Sequence, residues 1–140
     1  MVDQPNRRTI LQSIAGGLLM SGGAPAAEIP DAVLSNDEGR LNRQPFGDLR
    51  VFLEGHTVGL KSATLGSLEL KPGQSPHPSH QHLEEEIMLI TEGHGEITLA
   101  GKVSKVGPGS IMYAGSNHVH GIVNTSEAPL TFYYFKWIGK

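Results

Sequence analysis

From position 49 onward the chain reads as short apolar or alternating runs, at 49–53, 56–60, 63–70, 86–91, 96–99, 103–106, 110–113, 118–123 and 130–137. Several alternate with period two, the pattern of a strand with one face buried. Turn residues separate them: Gly55, Pro72-Gly73, Gly93, Ala100-Gly101, Gly107-Pro108-Gly109, and the stretch 124–129. Many short strands at this spacing predict an all-β sandwich or barrel over residues 46–140. Ahead of it, residues 27–45 are polar and turn-rich, with Pro30, Asn36, Gly39, Asn42 and Pro45, and are expected to form an arm or loop that adds little core.

The first 26 residues follow a different pattern. Asn6-Arg7-Arg8-Thr9-Ile10-Leu11-Gln12 leads into an apolar, glycine-rich stretch at 14–20 and then into Ala24-Pro25-Ala26. This resembles a twin-arginine signal peptide cut after Ala26. A bilayer span needs about 20 apolar residues, and Gly16-Gly17 and Gly22-Gly23 interrupt a run that is already short. The mature chain is therefore expected to begin near Ala27, to be periplasmic or secreted, and to have no stable membrane insertion after cleavage.

Composition narrows the function classes. A chain of 140 residues suits one domain with one core. The net charge of -3 provides no basic field to gather nucleic acid. Cysteine is absent, which excludes disulfides, thiolate ligands and thiol nucleophiles, so any metal chemistry must use histidine and carboxylate. No glycine-rich nucleotide loop and no G-x-S-x-G elbow is present.

The chemistry-bearing signal is histidine. Of seven histidines, five stand at positions 77, 80, 82, 118 and 120. On a strand, residues two apart project from one face, so His80 and His82 can reach one point. Glu86 lies an even step further on and returns to that face if the chain stays extended. A third imidazole must come from elsewhere, and His118 and His120 repeat the same spacing. The bland alternative is a set of solvated turn histidines around Pro76 and Pro78. His56 and His94 are assigned to surface turns.

The wider frame resembles the cupin superfamily, whose first motif has the form G-x5-H-x-H-x3-4-E-x6-G and whose second has the form G-x5-P-x-G-x2-H-x3-N. Gly73, His80, His82, Glu86 and Gly93 match the first with one extra residue after Gly73, and Gly109, His120 and Asn124 match the second. Gly115 stands where the proline is usual and Asn117 where the glycine is usual; asparagine tolerates a left-handed backbone better than most residues. The resemblance implies a single-domain jelly roll, or double-stranded β-helix, and selects His120 over His118 as the third imidazole. It implies one divalent transition metal (Mn, Fe, Ni, Cu or Zn) on His80, His82, Glu86 and His120. His118 then becomes a candidate for proton transfer or substrate contact, together with Tyr113. Tyr133 and Tyr134 are further candidates, of which alternation sends one inward.

Such a site is expected to serve a metal-dependent enzyme acting on a small oxygen-bearing molecule, as a dioxygenase, isomerase, lyase or decarboxylase. The alternative is a non-catalytic periplasmic protein that binds metal or a small ligand. A third is a structural role without metal. The twin-arginine route carries folded proteins, so the chain could take up its metal before meeting competing ions outside. The apolar last run also suggests pairing into a homodimer.

Overall fold

The computed structural model describes residues 26–140, so all but the last residue of the predicted leader lies outside the described residues. Nine strands form: β1 (Arg40–Gln44), β2 (Gly47–Gly55), β3 (Leu60–Leu70), β4 (Glu85–Glu92), β5 (Gly95–Leu99), β6 (Lys102–Val106), β7 (Ile111–Ala114), β8 (His120–Val123) and β9 (Leu130–Gly139). They make a six-stranded sheet in the order β1-β2-β3-β9-β4-β7 and a three-stranded sheet in the order β6-β5-β8. Every pairing within the two sheets is antiparallel. The two sheets face one another as a single-domain jelly roll, as the sequence predicts.

Period-two alternation builds the core. On β9, one of the two central strands of the larger sheet, Leu130, Phe132 and Tyr134 point inward and are buried, while Tyr133 points out. Leu68 and Leu70 on β3, Met88 and Ile90 on β4, and Met112 and Ala114 on β7 join them. Ile97 on β5 and Ile122 on β8 close the cluster from the smaller sheet. Each fully buried aliphatic or aromatic side chain contributes about 1.5–3 kcal/mol, so this end of the barrel is a hydrophobic plug.

Two readings of the chain change. Residues 27–45 indeed add no hydrophobic side chain to the core, but they are not all loop, because Arg40–Gln44 form an edge strand. The stretch 56–60 is not a strand of its own, since only Leu60 belongs to one, as the first residue of β3. Thr57 N–H donates to the Leu60 carbonyl at 3.0 Å and Leu60 N–H to the Thr57 hydroxyl at 3.0 Å, closing a turn around exposed Val58 and Gly59.

His56 is likewise more than a surface-turn residue. Its N–H donates to the Ala27 carbonyl at 3.1 Å, its carbonyl accepts from Ile29 N–H at 2.8 Å, and its Nδ1 meets the Ala26 carbonyl at 2.7 Å. The first described residues are thereby clasped to the end of β2. No helix among the described residues is long and apolar enough to cross a membrane.

The outer face of the larger sheet is apolar. Phe52, Leu65, Ile87, Leu89, Tyr133 and Phe135 line an open groove there, with Leu34 of the arm at its edge.

Candidate metal centre

The site forms where the two sheets meet. Glu86 is the second residue of β4 and points into the barrel, 6% exposed. His120 opens β8 on the opposite sheet and is 1% exposed. His80 and His82 lie on neither sheet: the segment before β4 forms one β-bridge, His80 to His120, with main-chain bonds of 2.9 and 2.8 Å. The chain then bends at Leu83 and Glu84. The expected continuous extension from His80 to Glu86 is therefore broken, and the convergence comes from the bridge and the bend together.

The ligand atoms of His80, His82 and His120 lie within 4.8 Å of one another. Glu86 Oε2 accepts from His82 Nε2 and from His120 Nε2, each at 3.0 Å. The other ring nitrogens meet main-chain carbonyls, His82 Nδ1 that of Glu84 at 3.0 Å and His120 Nδ1 that of His118 at 2.9 Å. Those carbonyls fix ring orientation and leave Nε2 as the inward-facing atom. This donor set of three imidazoles and one carboxylate fits a borderline divalent transition metal.

The electrostatics follow the geometry. Burial pushes the Glu86 carboxyl up, but the bonds from His120 and His82 outweigh it and hold the group at about 2. The bond from His82 holds Glu84 at about 2 as well. Bonds to Glu84 and Glu86 raise His82 to about 9. Burial, with the imidazoles of His77, His120 and His82 beside it, lowers His80 to about 4. A proton on His82 thus supplies positive charge that a metal ion would replace.

The two candidates for catalysis make no side-chain hydrogen bond to these four residues. Tyr113 is 54% exposed and points outward, because on β7 it is Met112 and Ala114 that face the core; its hydroxyl donates to Glu85, also on the outer face. His118 is exposed, its ring lies against Gly115, and what it gives the site is its carbonyl on His120. Tyr134 is the inward member of its pair. It is 8% exposed, and its hydroxyl is the buried side-chain polar atom left without a partner among the described residues. Burial, with the Glu86 carboxylate, raises this phenol well above its ordinary range, so it stays a donor.

The second-motif residues act on the backbone. Asn124, fully buried, donates to the Leu70 carbonyl at 3.1 Å and the Ala128 carbonyl at 2.7 Å, and accepts from Ser126 N–H at 3.0 Å and its hydroxyl at 2.8 Å. Asn117 takes a left-handed φ of 61° and donates its N–H to the His82 carbonyl at 2.7 Å, so asparagine performs the turn where glycine is usual.

Comparison with known proteins agrees with this architecture. The family model for the Cupin domain matches residues 66–136, just over half of the 140 residues and all four converging side chains. The chain is a cupin. Among solved structures, an RmlC-like cupin from Shewanella frigidimarina is 11% identical at a TM-score of 0.67, covering 80% of this cupin and 95% of that chain. KdgF from Halomonas is 20% identical at 0.63, covering 76% and 94%. A predicted oxalate decarboxylase from Thermotoga maritima is 22% identical at 0.61, covering 76% and 99%. A curated relative, the Streptomyces cyaneus protein named polyketide synthase CurC, is 29% identical over 94 residues. That match takes in 66% of this cupin and 61% of the relative, so the cupin spans about three-fifths of the relative's length.

Proposed function

We propose that His80, His82, His120 and Glu86 hold one divalent transition metal, and that the protein is a metal-dependent enzyme acting on a small oxygen-bearing molecule in the periplasm or outside the cell. The observation that carries this reading is the convergence of three imidazoles within 4.8 Å, with two of their Nε2 atoms on the Glu86 carboxylate. When bound, the metal would supply Lewis-acid polarisation of a ligand oxygen. The protein's own part is to fix the donors. The Glu84 and His118 carbonyls hold two rings in register.

A non-catalytic binding protein is the second reading, and the outward placement of Tyr113 with the exposure of His118 favours it. Elemental analysis of protein isolated from its native compartment tests the metal premise, and an absence of stoichiometric transition metal would defeat the enzyme reading and the metal-binding form of the second. Turnover separates the two readings. The Thermotoga protein's description as a predicted oxalate decarboxylase and the relative's polyketide name make small carboxylates and phenols the first substrates to screen, followed by diols. Tight metal binding without turnover would select the binding protein. Export by the twin-arginine route and pairing of two copies through the apolar outer face belong to the same proposal. Fractionation of cells and sedimentation of the purified chain test them.

A further inference from the structure

Two of the three imidazoles are fixed at both ring nitrogens, one on a main-chain carbonyl and one on Glu86. Among the described residues no hydrogen bond holds the ring of His80, although its main chain is pinned on both sides to His120. Its plane is held by another ring. The imidazole of His77 lies over it, with centroids 3.7 Å apart and planes 25° from parallel.

His77 is itself well anchored. Its Nδ1 meets the Pro78 carbonyl at 2.9 Å. Its carbonyl accepts from the Ser75 hydroxyl at 2.9 Å, and the same hydroxyl lies 2.6 Å from the Ile122 carbonyl on β8. Pro76 and Pro78 on either side lock φ and stiffen the segment. A nitrogen lone pair lies in the plane of its ring, so whatever fixes the plane of His80 fixes the direction in which it can donate.

We propose that His77 is a positioning residue of the metal centre, whose ring, stacked on His80, does for that ligand what main-chain carbonyls do for His82 and His120. The inference rests on the metal reading above and adds a residue outside the four ligands. It gives a reason for a flat ring between two prolines that solvation alone does not.

The test is Co²⁺ titration of the full chain against a competing chelator, followed by the visible ligand-field spectrum, for the wild type, His77→Ala and His77→Phe. Loss of an outer partner of a ligand typically weakens metal binding about 10–100-fold, so His77→Ala is expected to lose at least about tenfold and to alter the Co²⁺ spectrum. Thermal unfolding of the metal-free protein should not move. His77→Phe, which keeps a flat ring and discards both nitrogens, is expected to restore affinity to within about threefold of wild type, because the argument needs only the stack. Equal Co²⁺ affinity in wild type and His77→Ala overturns the inference, as does a His77→Phe variant that fails as badly as alanine. A wild type that takes up no Co²⁺ defeats the four-ligand reading itself, an outcome distinct from either of these.

Discussion

A phenol hydroxyl buried without a partner costs about 1–3 kcal/mol, and Tyr134 carries one where its ring lies over Gly66 of β3. Tyr134→Phe removes the unsatisfied group while keeping the ring, so the metal-free variant should be as stable as wild type or up to about 1 kcal/mol more stable in urea unfolding. Stability lost on substitution would show that the hydroxyl is already satisfied. The histidines make a second prediction for the metal-free protein. His82 is raised to about 9, so its contribution is full below pH 6.5 and fades as pH rises toward 9. His80 is lowered to about 4, so its contribution is full above pH 6.5 and fades as pH falls toward 4. Glu84 and Glu86, held at about 2, lose theirs between pH 4.5 and 2. Stability measured by denaturant should therefore peak near pH 6.5 and decline on both sides; a monotonic profile would contradict the ion pairing described. At this scale the sequence showed which residue types converge, because ligand spacing is local. Its alternation could not say which of Tyr133 and Tyr134 faces inward, since that depends on pairing with Met88 and Gly66 on neighbouring strands.

Elements were legible wherever a hydrophobic rhythm marked them. Eight of the nine strands coincide with apolar or alternating runs, with ends shifted by a residue or more. The exception is β1, Arg-Leu-Asn-Arg-Gln, which forms at the sheet edge by pairing with β2 and shows no core face in its sequence. The reverse error, at 56–60, arose from an alternation whose central valine is 85% exposed. Gly66 shows what neighbouring strands demand of one another. A Cβ there would collide with the Tyr134 hydroxyl and the Arg50 carbonyl, because the tyrosine ring crosses from β9 over β3 at that position. Gly66→Ala is expected to cost about 1–3 kcal/mol in urea unfolding, as overpacking of a fitted interior does. An unchanged midpoint would mean that Tyr134 moves aside freely.

At the scale of the whole molecule, the four converging side chains belong to three separate pieces of chain. Glu86 comes from the larger sheet, His120 from the smaller, and His80 and His82 from the segment that joins β3 to β4 and bridges to β8 through His80. That the two motifs sit on opposite layers is not legible in the spacing of their residues, because sheet membership is decided by pairing. An ion held by all four would join the layers. Metal at 100 times its dissociation constant adds about 2.7 kcal/mol to the folded state, which for a domain of this size raises the melting temperature by roughly 8–15 °C. Differential scanning calorimetry with and without chelator measures this, and coincident melting curves would mean that the layers are not joined. The bridging position also ties abundance to supply. A copy left without its ion would open more often along the seam between the sheets and so meet proteases sooner. The amount of this protein in a cell would then follow the availability of its metal, even at a constant rate of synthesis.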